Sequence, residues 1–266
     1  MKLRLILFAL LSLGSSALAA TVFDTGGFES PLNTAGNLTG QPATLGGGGT
    51  SNWVQTPGTS TAVVQSGVVQ AGSQAVLLTR GSNSDQRFAV AGLSPVTASF
   101  TTVFAEWDMY VPTPTAALPQ GSFGPMFGFE AYDDSTGPAL LVGSLFVDQG
   151  TRDILYQAAG TGFLTPTGSF VSYDTWNEFE LKFDYATDTY TFYLNDNLLG
   201  SSGFVDGGDQ FTDGNISGLA AAGDPGSLAL TGEAYFDNLI VTVVPEPSAM
   251  VHFLVGCCGM FFRRNR

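Results

Sequence analysis

The sequence predicts an all-β domain built as a two-sheet antiparallel sandwich. Three observations carry that prediction. Apolar and polar residues alternate in several short runs, clusters of Gly, Asn, Asp and Pro separate those runs, and no segment shows the apolar spacing of a helix.

At the start, Lys2 and Arg4 precede an apolar run over residues 5–13, and Ala17-Leu18-Ala19 supplies the small residues a signal peptidase requires. Residues 1–19 therefore read as a secretion signal. Residues 21–29 form the first strand-like segment. The stretch 26–58, with Gly46-Gly47-Gly48-Gly49, lacks the lysine and following helix of a phosphate loop and reads as a surface loop. Residues 75–79, 126–131, 140–147 and 234–244 are further apolar or alternating runs, and Val103, Ala105, Trp107, Met109 and Val111 share one parity.

The clearest pattern starts at Trp176. Phe179, Leu181, Phe183 and Tyr185 alternate with Glu178, Glu180, Lys182 and Asp184, and Tyr190, Phe192 and Leu194 resume after a short turn. This is a hairpin with one buried face. Asn195-Asp196-Asn197 tolerates left-handed backbone and turns the chain into a third strand at Leu198-Leu199.

Trp176-Asn177-Glu178-Phe179-Glu180-Leu181, the following Tyr190-Thr191-Phe192-Tyr193-Leu194-Asn195-Asp196, and the late segment Ala234-Tyr235-Phe236-Asp237-Asn238-Leu239-Ile240-Val241 resemble the laminin-G-like, concanavalin A-like jelly-roll family. The resemblance implies that the last strand closes against the N-terminal one. It also implies a structural calcium shared by an aspartate of the closing strand and an acid near the N-terminal strand, by position Asp237 and Glu29. Asp237 shares the parity of Leu239, Val241 and Val243, read as inward, where a lone carboxylate is costly. The alternative is that Asp237 caps backbone amides.

At the other end, Pro245-Glu246-Pro247-Ser248 interrupts the chain, residues 249–262 are apolar, and Arg263-Arg264-Asn265-Arg266 closes it with positive charge. This order resembles the PEP-CTERM sorting signal of exported bacterial proteins. The resemblance implies processing near Pro245, Glu246, Pro247 and Ser248 by a membrane-embedded exosortase, with Arg263, Arg264 and Arg266 on the cytoplasmic side. A helix over the apolar stretch reaches about 21 Å, short of the roughly 30 Å hydrocarbon layer. It inserts but anchors weakly, and a plain tail anchor is the alternative. The expected organisation is a signal peptide at 1–19, a sandwich ectodomain at 20–244 and a sorting segment at 245–266. Such a protein is exported, held briefly in the inner membrane through its C-terminal helix, then placed at the cell surface or outside.

Between Asp24 and Glu246 only Arg80, Arg87, Arg152 and Lys182 offset 23 acidic residues, which leaves −19. That field repels nucleic acid. Cys257, Cys258 and the sole histidine, His252, all fall in the apolar tail. The ectodomain thus has neither thiol nor imidazole, which excludes Ser-His-Asp and Cys-His catalysis, zinc bound by His or Cys, and disulfides.

Two carboxylate pairs, Glu178/Glu180 and Glu106/Asp108, have the spacing of glycosidase acids. The laminarinase-like pattern Glu-x-Asp-x-x-Glu, however, needs an acid where Val111 stands, so both pairs read as the solvated side of strands. Asp133 and Asp134, followed by Ser135 and Gly137, read as a turn. Tyr132, Tyr156, Tyr173 and Tyr193 are candidates for stacking on sugar rings. The function expected from sequence is a non-enzymatic surface or extracellular-matrix protein that binds glycans or other surface proteins. A secreted polysaccharide hydrolase or lyase is one alternative, and a structural coat protein another. The expected partners are signal peptidase, an exosortase-type enzyme and extracellular polysaccharide.

Overall fold

Alternating side chains and short polar turns yield nineteen strands among the described residues of the computed structural model, which are 19–94, 96–97, 101–115, 123–135, 137–221 and 223–245. They are β1 (Ala20–Asp24), β2 (Gly36–Asn37), β3 (Pro42–Leu45), β4 (Thr50–Gln55), β5 (Thr61–Gln65), β6 (Ala75–Arg80), β7 (Gln86–Val90), β8 (Val96–Thr97), β9 (Thr101–Tyr110), β10 (Met126–Asp133), β11 (Leu140–Asp148), β12 (Asp153–Gln157), β13 (Leu164–Phe170), β14 (Trp176–Asp184), β15 (Thr189–Leu194), β16 (Asn197–Gly203), β17 (Gln210–Phe211), β18 (Asp213–Leu219) and β19 (Gly232–Pro245). The one α-helix among these residues, Pro225–Ala229, has Asp224 as its cap, with Oδ1 accepting from the Gly226 amide. No helix among the described residues is long and apolar enough to cross a membrane. Ala17 of the leader, and Glu246, Pro247, Ser248, Arg263, Arg264 and Arg266 of the tail, lie outside the described residues.

The chain forms the antiparallel sandwich expected, with an order consistent with a jelly roll. In the first sheet β16, β15, β14, β9 and β19 follow one another. The far side of β19 is shared, its first half pairing with β6 and its second with β1. Strands β5 and β2 continue from β6, and β3 and β4 from β1. The second sheet runs β13, β12, β11, β10, β18, β7, β4. Strand β4 pairs with β3 in one sheet and β7 in the other, so it closes a corner.

The predicted hairpin is β14 and β15, with Phe183 opposite Tyr190. Asn195 and Asp196 both take positive φ, 49° and 64°, as a two-residue hairpin turn demands. The closing strand pairs with the N-terminal one as the resemblance implied, Asp24 lying opposite Ile240.

Trp107 joins the sheets. Its ring stacks on Phe179, its neighbour on β14, at 5.5 Å and on Phe129 of β10, across the sandwich, at 5.4 Å. All three are almost completely buried. On β18 the core face is pared down instead: a Cβ on Gly214 would come within 2.8 Å of the Phe129 ring, and one on Gly218 within 2.6 Å of Leu78. Glycine at 214 and 218 thus makes room for bulk supplied by other strands.

Replacing Trp107 with alanine removes the ring that both sheets grip. The expected loss is about 3–5 kcal/mol of unfolding free energy, read from the urea midpoint at unchanged slope. A loss under about 1 kcal/mol would show that the stack is not structural.

Candidate functional site

With glycine turned inward, β18 presents Asp213, Asn215 and Ser217 on the outer face of the second sheet. Register brings three strands together there. Tyr132 of β10 lies opposite Asp213 and Glu130 opposite Asn215, while Arg87 of β7 lies opposite Ser217. Glu130 is 1% exposed, and three groups surround its carboxylate. Arg87 Nε stands 2.7 Å from Oε2 and Arg87 Nη2 3.1 Å from Oε1. The Tyr132 hydroxyl donates to Oε1 at 2.9 Å and Ser217 Oγ to Oε2 at 2.7 Å.

Glu130 is thereby an anchor, its lone pairs engaged; of the groups it holds, Ser217 is buried while Arg87 and Tyr132 are partly exposed. Arg87, one-third exposed, also donates from Nε to the Tyr132 hydroxyl at 3.1 Å, its guanidinium carbon 5.8 Å from the ring centre. Burial opposes its charge, but Glu130 and Tyr132 outweigh burial and keep it protonated. Burial first, then the Glu130 charge, holds the Tyr132 phenol protonated well above its ordinary range, although Arg87 pulls the other way.

Asp213 is the titratable group of this face. Burial pushes its carboxyl from 3.8 up to about 6, helped by the charges of Asp134 and Glu130. Asn215 Nδ2, donating to Oδ2 at 3.2 Å, opposes that rise and orients the group. Asp134 follows Tyr132 by two residues and is anchored beside Asp213 by its amide, which donates to Thr212 Oγ1 at 2.8 Å. Two cavities, of about 510 and 550 Å³, meet at Arg87. Asp213, Asn215 and Tyr132 line the first; Glu130 lines the second.

The carboxylate pairs singled out in the sequence do come together, but elsewhere. Glu178 lies opposite Asp108 and Glu180 opposite Glu106 on the outer face of the first sheet, near Tyr193, Asn195 and Asp196. Burial raises Asp108, and burial followed by neighbouring acids raises Glu178 and Glu180. Like charges facing across strands repel, and among the described residues no guanidinium lines this cluster as Arg87 lines the groove of the second sheet. Val111 is buried. Asp133 closes its turn by accepting from the Ser135 amide and hydroxyl.

Of the four tyrosines only Tyr132 reaches the groove. Tyr156 stacks on Phe192 at 4.8 Å, and Tyr173 donates to the Gln149 carbonyl at 2.5 Å beneath Arg152.

Asp237 is fully buried, yet not on the inward face. Asn238, with φ 50°, makes a bulge that places two residues of β19 opposite Trp107, so Asp237 shares the outer face with Asp108. The loop at Gln70 and Ala71 covers it, both amides donating to Oδ2, at 3.1 and 3.3 Å. Glu29 takes the Ser73 and Gln74 amides from the same loop, at 2.6 and 2.8 Å, and the Ser73 hydroxyl at 2.5 Å. Two buried amide oxygens, Gln74 Oε1 and Asn33 Oδ1, have no hydrogen-bond partner. Their own backbone amides donate to the Glu29 side chain and carbonyl. Glu29 and Asp237 offer the oxygen donors a hard cation takes, and each already caps backbone amides of this one loop, the alternative reading of Asp237. Among the described residues no group of three or more His, Cys, Asp and Glu gathers.

No protein-family model matches the chain, and no curated protein matches it. Solved structures do share its architecture. A sialidase superposes with a TM-score of 0.50 at 9% identity, over 71% of this chain and 16% of the sialidase. A cellulose-induced protein matches 71% of this chain and 90% of its own, at 13% identity and a TM-score of 0.48. An alginate lyase from Chlorella virus matches 73% and 93%, at 14% identity and a TM-score of 0.45. At such identity the likeness is one of fold.

The expectation of a non-enzymatic binding domain is corrected here. The second sheet carries an ionisable groove, and a sialidase shares this architecture, so the fold gives no ground for reading the domain as non-enzymatic. The groups missed in the sequence are Arg87, Glu130, Asp213, Asn215 and Ser217. Their signal was present: polar residues at alternate positions 213, 215 and 217 between glycines, and a lone glutamate inside the apolar run 126–131.

Proposed function

We propose that the domain cleaves glycosidic bonds in an extracellular polysaccharide, with the groove at Arg87 as its site. The observation that carries this reading is Asp213, a carboxyl pushed up to about 6 in a cavity shared with a phenol and adjoining a guanidinium. Holding its proton up to that pH, Asp213 protonates the leaving oxygen. Asp134, exposed beside it, stays available as the second carboxylate that hydrolysis needs. Tyr132 and Arg87 bind the sugar oxygens, and Asn215 holds the acid in place. A second reading rests on Arg87: a guanidinium here can hold a uronate carboxylate, and elimination then uses Asp213 as base.

Asp213→Asn is expected to lower kcat by at least about 100-fold on the polysaccharide the wild type cleaves. Because the protonated acid is the working form, wild-type activity should fall as pH rises through about 6. Activity that instead rises through this pH, with unsaturated sugar products, selects elimination. Unchanged turnover in the variant overturns the site.

The sorting reading of the tail is part of the same proposal, since an export route delivers the enzyme to extracellular polymer. Its support is the order of Pro245, Glu246 and Pro247, the apolar run and the closing arginines. Mass spectrometry of the mature protein should find a C-terminus within residues 244–248. Recovery of Arg266 on the secreted form defeats this reading.

The concanavalin A-like affiliation and its calcium also stand as proposals, the cation sitting between Glu29 and Asp237. Calcium at a hundred times its dissociation constant should add about 2.7 kcal/mol. A thermal midpoint equal in calcium and in chelator rejects the site, with Asp237→Ala as the control.

A further inference from the structure

On the side of Arg87 away from Asp213, the groove ends on aromatic rings that the cleavage chemistry leaves unused. Phe163 is 73% exposed and Phe123 38% exposed, and both line the 550 Å³ cavity with Arg87 and Glu130. Neither rides on a loose tip. The Phe163 carbonyl accepts from the Ala158 amide at 3.0 Å, and the Ala158 carbonyl from the Gly162 amide at 2.9 Å. Gly160 and Gly162 take φ of 70° and 65°, the left-handed region this tight turn requires. Gln157 Nε2 then ties the turn to the sheet through the Gly162 carbonyl at 3.2 Å, and Ser144 holds Gln157 in turn. The Phe123 carbonyl accepts from Ser227 Oγ, and the next amide, of Gly124, donates to the buried Asp148 at 2.8 Å.

Two pinned segments, one leading into β10 and one joining β12 to β13, therefore display phenyl rings at one cavity. Its floor is apolar, made by Met126, Phe146 and Leu219, while Asp85 and Gln157 add polar groups. Apolar ring faces beside hydrogen-bonding groups match a pyranose, which has a C–H face and a rim of hydroxyls. We infer that this end is a second sugar subsite, where Phe163 and Phe123 receive a ring of the chain remote from the cleaved bond. The inference rests on the cleavage reading for its ligand. It adds that the substrate is a chain long enough to reach past Arg87.

Calorimetric titration of Asp213→Asn protein tests the subsite without turnover. The probes are cello-, laminari- and alginate oligosaccharides from disaccharide to hexasaccharide. Affinity should climb with length, and adding Phe163→Ala should weaken the long chains about tenfold, while Phe163→Trp restores them. Equal affinity of the alanine and tryptophan forms for every chain overturns the subsite, even where wild type cleaves. Length-dependent binding that needs Phe163, in a wild-type protein that cleaves none of the probes, upholds the subsite and removes the cleavage reading. A parent that binds none of the probes overturns both.

Discussion

The groove depends on the register of β10, and that register is fixed by Phe129 stacking on Trp107. Side chains alternate along a strand, so a slip of one residue would send Glu130 into the core and Phe129 into the polar network of the outer face. Trp107 is itself backed by Phe179, so the stack crosses from β14 through β9 to β10. Each aromatic is nearly inaccessible to solvent, and a slip would have to break contacts in both sheets at once. The placement of Arg87 and Tyr132 is therefore inherited from packing on the opposite face of the sheet that bears them.

Within the groove, charge is managed by a closed network. Glu130 is buried deeply enough that an unpaired carboxylate would be costly, and the guanidinium, phenol and serine hydroxyl around it compensate for lost water. The outer face of the first sheet behaves differently. Its four acids lie across from one another in a wetter setting, and the side-chain donor there is the Asn238 amide, which reaches Asp108 at 2.8 Å. The two outward faces of one sandwich thus differ in the company each carboxylate keeps.

What was legible in the sequence was the first sheet. In β14 and β15 one face is wet and one dry, so alternation was plain, and Asn195-Asp196 announced its turn. The second sheet hid itself in two ways. Strands β10 and β11 are buried on both faces, so Glu130 stood inside what read as a featureless apolar run. Strand β18 has glycine at 214 and 218, where Phe129, Phe211 and Leu78 already occupy the space, so Ile216 is the one bulky residue between them and the apolar period-two signal is weak. Asp237 was placed on the wrong face because one left-handed residue, Asn238, breaks the count of two along β19. Bulges, glycine faces and doubly covered strands depend on what other strands supply, and spacing along one segment does not encode them.

The shared strand β4 also bears on how the domain avoids its own aggregation. A sandwich normally exposes the backbone of its outermost strands, each a template for another chain. Here β4 turns the corner, so on that side the outermost strand of the second sheet is already hydrogen-bonded into the first. The opposite margin, β13, pairs with β12 and carries Pro166, which has no amide hydrogen to offer, and Gly168 at φ 84°, which kinks the strand. With no cysteine between residues 19 and 245, the domain has no covalent lock against misassembly at high concentration. Blunted margins take that place.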